Sequence, residues 1–430
     1  MTGAWMERAR GQIDLPLLQR HPLVAAVSVV VGLPLSLVWS CVAGLRAMRR
    51  QKMRASQTNG RIRIISVGNV AVGGTGKSPV VRAITRQALS EGHDVVILSR
   101  GYGSSAAARE DQMVCIDSQS TGEAELFWNI PFSDEGIEHA VLLKGMLQTG
   151  SILWIAQGSD RRRLLDKVIQ ARAKNSPASM RPLVVLLDDG LSQTALPVHC
   201  DVVLWDPHSL LQAPRACLPY GPYRMGWPWI LWPLTIPQAD RIVWSRLKGD
   251  HDKEEFLHSI SLARRVLKRV RNDNECMAVE RAFLAKAVGF SDDGRFRLED
   301  VSVDALAGRL TVLTGFARPQ RFIETLRTLS VGQNSSQVLR PVEVVHLSDH
   351  AELNDSARDC ILRSDLLVTS LKDLCRWRRE NVILQKIRDF KVCVLCLEVD
   401  LVEFGQSSRP AGGIFPPLNK EGTHHESSGA

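Results

Sequence analysis

The sequence predicts an α/β protein: a mostly parallel sheet covered by helices, with a second, smaller α/β domain and an N-terminal membrane-associated helix. Three observations predict it. Short unbroken aliphatic and β-branched runs recur after Gly60, each followed by a polar or glycine-rich turn and a helical stretch, the pattern of strands buried on both faces. One of those turns is rich in glycine and ends in Gly-Lys-Ser. Ahead of them, the 24 residues from Pro22 to Leu45 carry no charge.

The uncharged segment is long enough to cross a bilayer core, which takes about 20 residues at 1.5 Å each. Gly32 and Pro34 weaken a straight spanning helix and suit a kinked or half-inserted one. A cleaved signal peptide fits poorly, because the apolar run is too long and no small-residue cleavage site ends it. A buried core helix is the alternative. Between Leu15 and Ser90 there is no acidic residue, while Arg46, Arg49, Arg50, Lys52, Arg54, Arg61 and Arg63 crowd the middle of that span. Much of the net charge of +8 therefore gathers where it can meet an anionic partner, and the basic flank places the rest of the chain on the cytoplasmic side of a membrane.

With 430 residues, 44% of them hydrophobic and 23% charged, the chain can bury two or three cores and does not have the composition of a disordered protein. Its nine cysteines are odd in number and scattered, which fits a reducing compartment. Cys393 and Cys396 form one CxxC, but inside the apolar run "KVCVLCLEV". That reads as a buried strand, and no second pair completes a zinc site.

Strands are expected at "RIRIISV", "DVVILS", "RPLVVLL", "DVVLW", "RIVW", "RLTVLT", "PVEVVHL", "DLLVTS" and "KVCVLCL". Lys248 to Asn274 is charged and helical in character, a connector or insertion. From Gly405 the chain is rich in Gly, Ser and Pro and is expected to be disordered, with His424 and His425 as solvated residues of that tail. The expected division is an N-terminal helix with its basic flank at 1–55, a P-loop nucleotide-binding domain at 56–205, a second α/β domain at 206–404 and a tail at 405–430. Ligands of such sheets bind beyond the carboxyl ends of the strands.

The first strand end is "SVGNVAVGGTGKSPVV". Gly73, Gly74, Thr75 and Gly76 let backbone amides turn inward around a triphosphate, Lys77 reaches the terminal phosphates and Ser78 can ligate magnesium, at the N-terminus of a helix whose dipole favours anions. Pro79 fits the first helical turn. The full P-loop pattern has glycine five positions before Gly76, where this chain has Ala71. A P-loop also needs an acid at a neighbouring strand end to hold the metal, and "RPLVVLLDDG" supplies Asp188 and Asp189; a solvated Asp-Gly turn is the alternative. Asp349 and His350 follow "PVEVV", an acid that can orient an imidazole. Thr369, Lys372 and Asp373 follow "DLLV", and Arg100 and Tyr102 follow "DVVI". Singly these are surface turns; together they are expected to converge on one sheet edge. "YRMGWPWILWPL" places Trp227, Trp229 and Trp232 among aliphatic residues, as suits a membrane interface gripping an acyl chain or a buried strand.

These motifs, with "LPYGPYR" and "LTGFARPQRF", occur in the order found in the tetraacyldisaccharide 4'-kinases of lipid A synthesis, and the chain resembles that family from the N-terminal segment to about Asp400. The resemblance implies a membrane-associated two-domain kinase that moves the γ-phosphate of ATP to the 4'-hydroxyl of an acylated glucosamine disaccharide 1-phosphate, with Mg2+ and no nucleic-acid partner. Lys77 and Ser78 match the family's phosphate and magnesium positions, Asp188 and Asp189 its paired aspartates, and Asp349 and His350 its Asp-His pair. The family's general base lies in a Gly-Asp-Glu-Pro stretch; "TGEAEL" puts Glu123 there. Departures stand at Ala351, at Ser192-Gln193 in place of Gln-His, and at Leu371 in place of Glu; they are marks of altered activity or of a divergent lineage. The implied place is the cytoplasmic face of a bacterial inner membrane, or a mitochondrial membrane in a plant or alga. In the implied in-line transfer Glu123 takes the hydroxyl proton, and His350, oriented by Asp349, stands near the transferring group. The rival classes are a membrane-associated P-loop switch ATPase, whose signature lysine is replaced here by Val72, and a non-catalytic relative that binds acylated sugar.

Overall fold

The computed structural model describes residues 28–52, 61–71, 76–101, 111–118, 132–175, 181–193, 195–207, 224, 239–247, 253–266, 275–288, 296–301, 310–315, 319–332, 343–347 and 351–403. Among the described residues thirteen strands form one mixed sheet. They are β1 (Ile62–Asn69), β2 (Asp94–Ser99), β3 (Gln112–Asp117), β4 (Ile152–Gln157), β5 (Leu183–Asp188), β6 (Cys200–Trp205), β7 (Arg241–Leu247), β8 (Glu275–Val288), β9 (Arg297–Asp300), β10 (Leu310–Thr314), β11 (Glu343–His346), β12 (Leu366–Ser370) and β13 (Val392–Glu403). All nine expected strands are present. Four are added, β3, β4, β8 and β9; of these β8 and β9 carry charged residues that break up an aliphatic run, as in "ECMAVERAFLAKAV".

The helices are α1 (Leu33–Lys52), α2 (Lys77–Ser90), α3 (Asp134–Lys144), α4 (Arg161–Asn175), α5 (Lys253–Val266), α6 (Pro319–Gly332), α7 (Asp355–Arg363), α8 (Leu371–Trp377) and α9 (Asn381–Arg388). Both faces of the sheet are covered where β1 lies. Ile65 and Val67 pack with Val80, Val81 and Ile84 of α2, while Ile64 packs with Leu164, Leu165 and Val168 of α4. The period-2 alternation of a strand sends neighbouring side chains to opposite helical layers, which is why β1 reads as a continuous apolar run. Cys393 and Cys396 are buried in β13, where burial pushes the two thiols up to about 11 and 12.

The strand order is β11-β10-β12-β13-β8-β7-β6-β1-β5-β2-β4-β3. β8 runs parallel to β7 but antiparallel to β13, so the strands from β10 to β13 point opposite to β1, β2 and β4 to β8, while β3 is antiparallel to its neighbour β4. This corrects the expectation of a single edge gathering every carboxyl end. Side chains that follow β12 nevertheless reach α3, where Lys372 pairs with Glu135 and Arg376 with Asp134. Arg82 and Arg86 of α2 donate to the Leu397 and Val399 carbonyls of β13, both at 2.8 Å.

α1 is long and apolar enough to cross a membrane by length and composition. A π-helical turn at Ser28–Gly32 precedes it, at the place where Pro34 cannot donate to the carbonyl four residues back. One face is buried, with Ser36, Ser40, Ala43, Gly44 and Arg50 turned to the protein, and Ala43 joins the cluster of Val70, Leu191, Val203 and Trp244. The opposite face exposes Leu35, Val38, Val42, Leu45 and Met48. Arg50 departs from its expected place in the basic flank: it is 5% exposed.

Candidate active site

β1 and β5 are paired neighbours, with Val67 opposite Asp188, so the turn after each strand emerges at the same edge. After β1, residues 72–75 lie outside the described residues, and with them Gly73, Gly74 and Thr75. The chain is described again at Gly76, whose φ of 79° belongs to the left-handed region that costs glycine least. Lys77 then opens α2, with Ser78 half-buried in its first turn.

The turn after β5 is fitted tightly against β1. Gly190 donates to the Val67 carbonyl at 3.0 Å, and a Cβ on Gly190 would stand 2.6 Å from Ser66 Oγ and 2.7 Å from Leu187 Cβ. Asp189 takes a positive φ of 51°, a conformation that aspartate tolerates better than most residues. It brings the Asp189 carboxylate to 3.6 Å from Lys77 Nζ, which also donates to Asn69 Oδ1 at 3.1 Å. Arg224 donates to both Asp189 oxygens at 2.7 and 3.0 Å. Burial alone would raise the Asp189 carboxyl, but the charges of Lys77, Arg224 and Arg161 outweigh it and hold it at about 2. Asp188 is buried, its Oδ2 3.4 Å from His139 Nε2, and its carbonyl accepts from Arg161. Burial and the nearby Arg100 lower the Arg161 guanidinium to about 10.

A second group of charges faces this edge from α3 and α8. Ser133 caps α3, accepting from the Gly136 amide at 3.4 Å, and is itself held by Gln157, whose Oε1 accepts from the Ser133 amide at 2.8 Å. Asp134 pairs with Arg376 at 2.9 Å and Glu135 with Lys372 at 2.8 Å. The Lys372 charge holds the Glu135 carboxyl well below the usual carboxylate range, against burial and with smaller help from His139 and Lys77. Asp373 accepts from the Gly315 amide at 3.1 Å and pairs with Arg376 at 3.2 Å.

The donor set fits a magnesium nucleotide. Among the described residues no three His, Cys, Asp or Glu side chains converge on a metal position. Magnesium is ordinarily held by one or two carboxylates together with substrate phosphates, and a hydroxyl at Ser78 with carboxylates at Asp188 and Asp189 is that kind of set.

A family profile described as tetraacyldisaccharide-1-P 4'-kinase matches residues 29–408. The chain belongs to this family. A tetraacyldisaccharide 4'-kinase of Anaeromyxobacter dehalogenans is 32% identical over 268 residues, 62% of this chain and 60% of the relative, so the chain spans about 60% of the length of that relative. One from Geobacter sulfurreducens is 25% identical over 381 residues, covering 86% of this chain and 89% of its own. A crystal structure of LpxK from Aquifex aeolicus in complex with ATP superposes with a TM-score of 0.52 at 18% identity, covering 88% of this chain and 95% of the other. At that identity it is the fold that is shared.

Within the kinase family pattern, the structure brings together Gly76, Lys77, Ser78, Asp188 and Asp189. Glu123, Asp349 and His350 lie outside the described residues, as do Tyr102, Trp227, Trp229 and Trp232. Asp134 and Glu135 are the residues that sequence reasoning passed over. The family stretch Gly-Asp-Glu-Pro has a second counterpart in Ser133-Asp134-Glu135-Gly136, which keeps the adjacent Asp-Glu pair. Its ends differ in a matched way: Gly and Pro offer neither a cap oxygen nor an N–H, whereas Ser133 and Gly136 supply both. The Asp-Glu spacing was the available signal; the absent proline hid it.

Proposed function

We propose that this chain is an ATP-dependent kinase that phosphorylates the 4'-hydroxyl of an acylated glucosamine disaccharide 1-phosphate at the cytoplasmic face of a bacterial inner membrane, with 56–205 holding the nucleotide and 206–404 completing the acceptor side. The observation that carries it is the placement of Lys77, at the start of a helix after β1, within 3.6 Å of Asp189 on the turn after the adjacent β5.

Phosphoryl transfer needs little covalent chemistry from the protein, so its residues position groups and balance charge. The amides of the 73–78 loop and Lys77 hold the β- and γ-phosphates. Ser78, Asp188 and Asp189 would hold magnesium, which supplies charge neutralisation on those phosphates. His139 fixes the Asp188 carboxylate from behind. Lys77, Arg224 and Arg161 hold the Asp189 carboxylate in its ionised form. Asp134 at the capped start of α3 is the carboxylate that takes the acceptor's proton, in preference to Glu123, because α3 also presents His139 to Asp188 and Glu135 toward Lys77. Asp349 and His350 keep their proposed place beside the transferring group.

The deciding experiment incubates the protein with γ-labelled ATP and the acylated disaccharide 1-phosphate and follows the label. Label in the lipid, lost in Lys77→Ala, supports the kinase. Label in free phosphate alone supports a switch ATPase, and unconsumed ATP supports a binding relative.

A further inference from the structure

α1 reaches into the nucleotide site. Arg50, in its last turn, is buried with its guanidinium forked between two elements. On one side Nη2 lies 2.5 Å from Asp201 Oδ1 of β6. On the other, Nη1 donates to the Gly190 carbonyl at 2.5 Å and to the Gln193 carbonyl at 2.7 Å. Gly190 follows Asp189 directly, and its amide is already tied to β1 through Val67. Both peptide groups of Gly190 are thus engaged, one by the strand that leads to the phosphate loop and one by α1.

A second thread runs from the same helix to the same turn. Trp39 Nε1 donates to the Arg224 carbonyl at 2.8 Å, the Arg224 amide donates to the Val70 carbonyl at 2.7 Å, and the Arg224 guanidinium holds Asp189. Arg50 and Trp39 are three turns apart on α1 and meet the Asp188-Asp189 turn independently. The face of α1 turned away from them is apolar and open, with Val38 62% and Leu45 57% exposed.

We infer that Arg50 is a positioning residue for the Asp188-Asp189 turn, so that docking of the membrane-facing helix α1 is part of building the magnesium-nucleotide site. Asp201 supplies the counter-ion for the buried guanidinium. The two carbonyl contacts go further, because they fix the backbone that aims Asp189 at Lys77. The consequence is linkage: whatever favours docked α1 favours nucleotide binding, and bound nucleotide favours docking by the same factor.

The inference rests on the nucleotide-site assignment above, and its test separates the two. Magnesium-dependent ATP binding is measured calorimetrically on the full chain in detergent micelles, for wild type, Lys77→Ala, Arg50→Lys and Trp39→Phe, alongside Tm and the KM of each substrate. Lysine keeps the charge beside Asp201 but lacks the planar fork that reaches both carbonyls. Arg50→Lys is expected to weaken magnesium-dependent ATP binding by about ten- to a hundredfold, the range for groups that orient ligands without touching the metal. KM for ATP should rise, with the acceptor KM and Tm near wild type. Trp39→Phe should show a smaller loss of the same kind, and it decides the matter if the Arg50 variant does not fold. Wild-type ATP affinity in both variants, with only Tm changed, overturns the inference. A wild-type chain that binds no ATP removes the site assignment itself, and the inference with it.

Discussion

Arg376 donates to Asp134 Oδ2 at 2.9 Å, joining α8 to the first turn of α3 across 242 residues of sequence. Both side chains are nearly enclosed. Breaking such a pair on one side strands a buried charge, at a cost of about 3–5 kcal/mol. Arg376→Ala is therefore expected to lower unfolding free energy by roughly 3 kcal/mol, read by chemical denaturation, with Asp373 losing its ion pair as well. An unchanged midpoint would show that the pair is solvated in solution.

The position of the proton acceptor is open to a two-variant comparison. Asp134→Asn should cut kcat by about a hundredfold or more, the usual share of a general base, with little change in the KM for ATP. Glu123→Gln should stay near wild type. The reverse result would return the role to Glu123.

Acid should act on Asp189 in a defined window. Its folded carboxyl is held at about 2 against an ordinary 3.8. The unfolded chain thus binds the proton more readily, and the stabilisation is complete above about pH 4 and fades as pH falls toward 2. The Tm difference between wild type and Asp189→Asn should be constant above about pH 4 and shrink below it. A difference that persists to pH 2 would rule out this ionic contribution.

Gly190→Ala tests the close fit of the two turns. The added methyl meets Ser66 Oγ, Leu187 Cβ and, at 3.0 Å, the Leu187 carbonyl, and a backbone carbonyl cannot swing aside. Overpacking of this kind costs about 1–3 kcal/mol, and the displaced turn should weaken ATP binding as well. Wild-type stability in this variant would mean that the turn has room to shift.

The strands around β1 were legible in the sequence because burial on both faces leaves an unbroken aliphatic run that nothing else explains. β8 was not, since one of its faces carries Glu280 and Lys286 and its pattern is mixed. The same strand reverses the direction of everything from β10 to β13, a fact set by pairing between residues more than a hundred positions apart. At the site, Lys77, Ser78 and the paired aspartates are written as a contiguous motif at strand ends. Asp134 is found only once α3 is seen to stand beside Asp188, and Arg50 only once α1 is seen to fold back; in sequence it is one more basic residue among neighbours that are exposed.

The pairing of β8 with β13 sets an order of events during synthesis. β7, the parallel neighbour of β8, is made before it, but Cys276 pairs with Glu403, the last residue of the final described strand. Until that strand leaves the ribosome, β8 carries an open edge and the carbonyls that Arg82 and Arg86 will engage do not exist. Long-range pairings of this kind form slowly and leave strands exposed meanwhile. The strands from β1 to β7 can pair while the chain is still growing, whereas β8 must wait for the end of β13, so a nascent chain stalled before residue 392 is the form on which chaperones have most to do.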